Sequence, residues 1–188
     1  AERGVFRIAL SGGSTPKLLY QQLASQEWRD EMSWDRWEVY WSDERAVPPD
    51  HPDSNYHLAH STFLSKVPVR KIFRMEVPVS PRFSGGMKGG LDQAARDYAE
   101  LLQKNFGEPV PVFDLILLGV GSDGHTASLF PPEKTTTPQS PTGGIESSLV
   151  AAITVNHSIP HRLTLTYRVF NAARVVLFLI TGEEKAQA

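Results

Sequence analysis

Runs of apolar residues that end in glycine-rich or charged turns recur along the chain. Residues 5–10 (Val-Phe-Arg-Ile-Ala-Leu) end in Ser-Gly-Gly, and residues 112–118 end in Gly-Val-Gly-Ser-Asp-Gly-His. Residues 38–41 end in a charged turn, Ser-Asp-Glu-Arg. Short apolar runs that stop at turn residues are typical of buried β-strands. We expect further strands at residues 163–167, which alternate with a period of two, and at the apolar residues 174–180, the latter buried.

Helical patterns separate these strands. A hydroxyl N-cap followed by Pro16 at the first helical position predicts one helix start. Asp53 is expected to cap a second helix, and residues 91–106 have the apolar face of a third. Residues 78–90 and 131–144 are rich in glycine, proline or threonine, and we expect loops there.

Strands that alternate with helices predict an α/β fold. We expect a mostly parallel, Rossmann-like sheet with helices on both faces. A length of 188 residues fits a single domain over residues 1–188. Ligands of such sheets bind beyond the carboxyl ends of the strands, near a topological switch point. The two glycine-rich turns therefore predict one shared site.

Composition and charge exclude several classes of function. Nineteen Lys and Arg against 21 Asp and Glu give a net charge of −2, which offers no basic surface for nucleic acid or an anionic membrane. The sequence has no cysteine, so it has neither disulfides nor zinc–thiolate sites. The histidines show no metal-ligand spacing. We therefore expect no metal or other cofactor, no nucleic acid partner and no membrane partner, and we expect a cytoplasmic protein.

The first glycine turn has the composition of an anion site. Residues 11–16 (Ser-Gly-Gly-Ser-Thr-Pro) place glycines between a strand and a helix, whose free N–H groups and dipole attract phosphate. A plain strand–helix turn would have the same pattern. Gly12, Gly13, Ser14 and Thr15 are the candidate phosphate-binding residues.

The charged turn offers groups for a polyol substrate. Asp43 is a candidate for binding sugar hydroxyls, and Arg45 is a candidate for attracting an anion. Asn55 follows ten residues later and is a further candidate for sugar hydroxyls, although it could also cap a helix. A turn exposed to solvent would explain the same charges.

The second glycine turn carries the most specific pattern. His125 lies in a glycine-rich loop after a buried strand, and Asp123 lies two residues before it. Histidine is the common general base near neutral pH, and a carboxylate can fix its tautomer. A structural histidine would also fit. Arg162 and Lys185 are candidates to complete a phosphate site, provided that the sheet places them at the same edge as Thr15.

In order along nearly the whole chain, these motifs resemble the 6-phosphogluconolactonase family. The most specific segment is residues 119–131 (Gly-Val-Gly-Ser-Asp-Gly-His-Thr-Ala-Ser-Leu-Phe-Pro). The other segments that carry the resemblance are residues 11–16, 42–48, 53–55, 162–166, 171–174 and 182–186.

The resemblance implies hydrolysis of 6-phosphoglucono-1,5-lactone in the pentose phosphate pathway, without a metal, and a fold shared with glucosamine-6-phosphate isomerases. It implies that His125 activates water and that Arg45 lies near the reacting end of the substrate. It also implies phosphate binding by Gly12, Gly13, Thr15, Arg162 and Lys185. The family's first helical segment and its closing helix and strand are missing, so we expect a chain truncated at both ends. Fusion to, or association with, another enzyme of the pathway stays open.

Two other functions are compatible with the same motifs. An amino-sugar-phosphate isomerase or deaminase would use Asp43 for proton transfer at C2, but such enzymes resemble this chain less after His125, where it has Ser128, Leu129 and Phe130. A non-catalytic sugar-phosphate-binding domain would need no base, and here His125 is present.

Overall fold

Strands and helices alternate along the chain, as the sequence predicts. The computed structural model describes residues 4–78, 86–131 and 147–185. The strands are β1 (Phe6–Leu10), β2 (Trp37–Trp41), β3 (Asp43–Arg45), β4 (Lys71–Ile72), β5 (Leu115–Gly119), β6 (Val150–Thr154), β7 (His161–Leu165) and β8 (Val176–Leu179). The helices are α1 (Ser14–Leu23), α2 (Gln26–Arg29), α3 (Asn55–Thr62), α4 (Gly86–Phe106) and α5 (Tyr167–Ala172).

A five-stranded sheet forms the centre of the fold, with the strand order β4-β2-β1-β5-β8. Every pairing within it is parallel. The chain passes from β1 to β2 on one side and returns to β5 on the other side. The turns after β1 and β5 are therefore neighbours at a topological switch point. This confirms the mostly parallel α/β fold and explains why the two glycine turns meet.

Helices cover both faces of this sheet. Successive side chains of a strand point to opposite faces. In β2, the ring of Tyr40 packs against Phe106 of α4, whereas the ring of Trp41 packs against Tyr56 of α3. Both β2 residues are fully buried, so α3 and α4 lie on opposite sides of the strand.

A second, antiparallel sheet has the order β3-β7-β6. Its register pairs Asp43 with Thr164 and Arg45 with Arg162. The sequence predicts a charged turn at residues 42–45, which is wrong for residues 43–45. The backbone of these residues continues as a strand because β7 pairs with it, and their carboxylates face inward rather than toward solvent.

The helix starts differ from the predicted ones by a few residues. Gly13, with φ of 105°, is the N-cap of α1, and the helix begins at Ser14, two residues before the predicted position of Pro16. Ser54, not Asp53, caps α3, because its hydroxyl accepts a hydrogen bond from the His57 N–H. Helix α4 begins within the predicted loop 78–90, whose residues 79–85 lie outside the described residues, as do residues 132–146.

The last strand is much more exposed than its apolar sequence predicts. Val175, Leu177, Phe178 and Ile180 are between 43% and 53% exposed. Strand β8 lies at the end of the sheet, where it pairs with β5, and the described part of the chain leaves its side chains largely exposed. The expectation of a buried strand was therefore wrong. No helix in residues 4–78, 86–131 and 147–185 is long and apolar enough to cross a membrane.

Candidate active site

A cavity of about 310 Å³ opens at the carboxyl ends of β1 and β5. Its lining brings together residues that are up to 174 positions apart, from Ser11 to Lys185. Nine of the candidate residues line it: Gly12, Gly13, Ser14, Thr15, Asp43, Arg45, Asn55, His125 and Lys185. The structure therefore brings these residues to one cavity at this edge of the sheet, and their roles in binding and catalysis stay predictions.

The first glycine turn lies against Asn55. A Cβ atom at Gly12 would be 1.8 Å from the Asn55 Oδ1 atom, so a side chain at position 12 would displace this amide. Gly13 then turns the chain into α1, whose first N–H groups lie at the cavity. The Thr15 Oγ1 atom is 2.6 Å from the Thr181 Oγ1 atom, which joins this helix end to the segment that carries Lys185. The turn thus has the form of an anion site with a cation beside it.

Asp43 is held between two segments. Its carboxylate accepts a 2.7 Å hydrogen bond from the Ser128 hydroxyl and a 3.0 Å hydrogen bond from the Asn55 side-chain amide. Asp43 is 3% exposed, and Ser128 is fully buried. The carboxylate is therefore fixed in orientation at the wall of the cavity.

Arg45 of β3 and Arg162 of β7 are cross-strand neighbours, two residues along β3 from Asp43. The Arg45 Nη1 atom donates to the Asp53 carbonyl at 2.8 Å, and its Nε atom is buried with no hydrogen-bond partner among the described residues. The Arg162 Nε atom donates to the Ile159 carbonyl at 3.2 Å. Burial, and secondly the charge of Arg45, lowers the pKa of Arg162 from its usual value.

The structure places Arg162 apart from the other predicted phosphate ligands. Thr15 and Lys185 line the cavity, whereas Arg162 lies beside Arg45 with its guanidinium carbon 5.5 Å from the centre of the Phe130 ring. Arg162 is not among the residues that line the cavity. A phosphate contact by Arg162 therefore stays a prediction.

His125 is oriented by a carboxylate and by an aromatic ring. Its Nδ1 atom lies 2.5 Å from Asp123 Oδ1, and the Phe130 ring stacks on the imidazole with centroids 4.3 Å apart. With Nδ1 as the donor to Asp123, Nε2 is the nitrogen that can accept a proton. The pair has the arrangement of a general base and the group that orients it.

Three further residues contact the candidate residues but were not predicted from the sequence: Glu44, Ser128 and Phe130. Glu44 is buried, and burial raises the pKa of its carboxyl group above its usual range, although three backbone N–H groups oppose that rise. Ser128 and Phe130 belong to the segment that carries the most specific resemblance, which was a signal for both. No group of three or more potential metal ligands occurs among the residues that the structure describes.

Gly121 makes room for the histidine and its carboxylate. A Cβ atom there would be 2.1 Å from His125 Nδ1 and 2.6 Å from Asp123 Oδ1. We expect Gly121→Ala to lower turnover about tenfold, since small displacements of catalytic groups have large effects on rate. Gly119→Ala is the matched control for a steric clash, because Gly119 also lines the cavity but its Cβ atom would meet no atom within 4 Å. Equal turnover of the two variants in a steady-state assay would contradict this role.

Comparison with known proteins assigns the chain to a family. The family model described as glucosamine-6-phosphate isomerases/6-phosphogluconolactonase matches residues 1–188. The chain belongs to this family. It is 40% identical to the 6-phosphogluconolactonase of Synechocystis over 100% of this chain and 71% of that protein. It is 39% identical to the human 6-phosphogluconolactonase over 98% of this chain and 67% of that protein. The resemblance of its motifs is thereby confirmed.

Some relatives in this family are considerably longer than the chain. A probable chloroplastic 6-phosphogluconolactonase of rice is 37% identical over the whole chain, which spans 56% of that protein. Among solved structures, 6-phosphogluconolactonase from Trypanosoma brucei matches with a TM-score of 0.78 and 32% identity, over 98% of this chain and 72% of that one. A monomeric glucosamine-6-phosphate deaminase matches with a TM-score of 0.71 at 20% identity, which shows a shared fold alone.

Proposed function

We propose that the chain hydrolyses 6-phospho-D-glucono-1,5-lactone to 6-phospho-D-gluconate, a reaction of the pentose phosphate pathway. The observation that carries the proposal is the His125–Asp123 pair on a cavity that also contains the N-terminus of α1 and Lys185. In this proposal, one end of the cavity holds the base and the other end binds the phosphate. The relatives from Synechocystis and human support the choice of this substrate.

In this proposal, His125 acts on water and needs no covalent intermediate. The Nε2 atom takes a proton from water, whose oxygen attacks the carbonyl carbon of the lactone. Asp123 holds the imidazole and stabilises the positive charge that forms. The tetrahedral oxyanion needs hydrogen-bond donors, and Arg45 or backbone N–H groups at the cavity supply them. The ring C–O bond then breaks, and the leaving oxygen receives a proton. The proposed mechanism uses no metal.

The phosphate group is proposed to bind at the other end of the cavity. The turn of Gly12 to Thr15 offers backbone N–H groups and hydroxyls, and Lys185 adds a positive charge. This contact contributes binding energy remote from the reacting carbonyl, which orients the lactone ring. Asp43 and Asn55 lie between the two ends, where hydroxyl groups of the ring would be.

A direct assay tests the proposal. The chain is mixed with freshly prepared lactone, and acid release is followed at constant pH and corrected for spontaneous hydrolysis. We expect a rate above the uncatalysed one that saturates with substrate. An isomerase assay with glucosamine 6-phosphate runs beside it, since Asp43 also lines the cavity. Isomerisation without lactone hydrolysis would overturn the proposal.

Lys185 is expected to bind the phosphate group of the substrate. We expect Lys185→Ala to raise KM for the phosphorylated lactone about tenfold or more, because a hydrogen bond to a charged group contributes about 1.5–3 kcal/mol. The unphosphorylated lactone should be hardly affected. Lys17→Ala is a suitable control, since Lys17 is an exposed cation of α1 that does not belong to the lining. Equal losses for both lactones would show that Lys185 does not bind the phosphate.

Partners and location remain proposals. The proposed partner is the phosphorylated sugar lactone, and a fusion or association with another enzyme of the pathway is untested. The rice relatives are named chloroplastic, so the cytoplasmic location stays a prediction.

A further inference from the structure

Glu44 is a buried carboxylate that the proposed chemistry does not use. It is 3% exposed and lies on β3 between Asp43 and Arg45, both of which line the cavity. Glu44 itself does not belong to that lining. A buried carboxylate is costly unless hydrogen bonds satisfy it, so its surroundings show what it holds in place.

The Glu44 carboxylate is bound by the first residues of α3. Its Oε1 atom accepts from the Asn55 N–H at 2.8 Å, and its Oε2 atom accepts from the Tyr56 N–H at 2.8 Å and the Ser54 hydroxyl at 3.1 Å. The Arg45 N–H also donates to Oε1, at 2.8 Å. The N–H groups at a helix start have no partner within the helix and favour a negative charge. Glu44 thus joins β3 to the start of α3.

This junction determines where Asn55 lies. The Asn55 side-chain amide donates to the Asp43 carbonyl at 2.9 Å and to the Asp43 carboxylate at 3.0 Å. Its Oδ1 atom occupies the space where Gly12 has no side chain. A shift of the α3 start would therefore break both hydrogen bonds of the Asn55 amide to Asp43.

We propose that Glu44 is a positioning residue for the side of the cavity where the lactone carbonyl reacts. It acts through Arg45, Asn55 and Asp43. This rests on the proposed lactone hydrolysis. The phosphate half is joined to the structure through different contacts, such as the bond between Thr15 and Thr181. Loss of Glu44 should therefore lower kcat and leave the affinity for phosphate nearly unchanged. A general loss of stability would not affect these two quantities differently.

The test is Glu44→Gln, with Glu38→Gln as the matched control. Glutamine has the same shape, but its NH₂ group faces N–H donors and cannot accept from them. Glu38 is also a buried glutamate, but it lies on β2 away from the cavity and pairs with Arg7 and Arg70. We expect Glu44→Gln to lower kcat at least about tenfold, since misplaced catalytic groups have effects of this size. The Kd of inorganic phosphate should change less than about twofold.

The Glu38→Gln control distinguishes a positioning role of Glu44 from a contribution of Glu44 to stability. We expect Glu38→Gln to lower the unfolding temperature and to leave kcat unchanged. A Glu44→Gln protein that is destabilised but keeps kcat, or that loses phosphate affinity as much as kcat, would overturn the proposal. If Glu44→Gln does not fold, Glu44→Asp provides the same comparison, because it keeps the charge but shortens its reach. Unchanged kcat in Glu44→Asp would then overturn it.

A failure of the proposed function would be recognised separately. If the wild-type protein does not hydrolyse the lactone, lactone hydrolysis is wrong whatever the variants do. The position of Asn55 can then be followed by NMR, through the chemical shifts of its side-chain NH₂ group. Shifts that move in Glu44→Gln but not in Glu38→Gln would support the positioning role, and unmoved shifts would overturn it.

Discussion

His125→Asn is expected to lower kcat by about 10²-fold or more, the usual range for the loss of a general base. Asparagine can still donate to Asp123 from the place of Nδ1, so the loop should keep its conformation. It has no counterpart of Nε2 and cannot take the proton of the attacking water. KM should change far less than kcat, because the proposed phosphate contacts, Thr15 and Lys185, do not involve His125.

Steady-state kinetics of the folded variant check this expectation. His157→Asn is the matched control, since His157 is exposed and outside the cavity lining, with its Nδ1 atom near the Ser158 hydroxyl. The control should keep wild-type kcat. A folded His125→Asn protein with near wild-type turnover would remove His125 from the mechanism.

Asp43→Asn is expected to lower lactone hydrolysis about ten- to hundredfold, and less than His125→Asn does. Lactone hydrolysis breaks no C–H bond, so we expect Asp43 to orient groups rather than to move a proton. The Ser128 hydroxyl can turn from donor to acceptor when an amide NH₂ replaces one carboxylate oxygen, which limits the local damage. The expected loss corresponds to hydrogen bonds of about 1.5–3 kcal/mol, at about 1.4 kcal/mol per factor of ten.

Which of the two variants, Asp43→Asn or His125→Asn, loses more activity distinguishes the enzyme classes of this family. An isomerase needs the carboxylate to move the C2 proton, so its Asp43→Asn variant would be inactive. Kinetics of both variants on the lactone provide the comparison. An inactive Asp43→Asn protein beside a mildly affected His125→Asn protein would overturn the assigned roles. Solvent hydrogen exchange at C2 of glucosamine 6-phosphate by the wild-type protein would favour the isomerase.

Local sequence signals were sufficient for β1, β2, β5 and β8 of the central sheet and for much of the cavity, whereas the two-residue strand β4 was not predicted. The apolar runs at β1, β2 and β5 and the turns that follow them are short-range patterns, and a parallel sheet brings carboxyl ends together by its topology. Gly12, Thr15 and His125 could therefore be placed at one edge before any contact was known. Lys185 reached the same edge because it follows β8.

Contacts between distant segments could not be derived in this way. The hydrogen bond between Ser128 and Asp43 joins positions 85 residues apart. Residues 43–45 are charged and resemble a turn, and they become a strand only because β7 pairs with them. The cap of α3 depends on Glu44 and Ser54 together, so the nearest acidic residue, Asp53, was a misleading signal.

The position of β8 has a consequence for the motions of the molecule. Local opening takes the least free energy where few apolar contacts hold a segment, and β8 has largely exposed side chains at the end of the sheet. Thr181 and Lys185 follow this strand, so fraying of β8 would detach them while the His125 loop stays in place. A ligand with a phosphate group would oppose that fraying, and slower amide hydrogen exchange in Val176–Leu179 would accompany its binding. We therefore expect occupancy of the cavity to reduce the fraying of β8, which is the end strand of the sheet among the described residues.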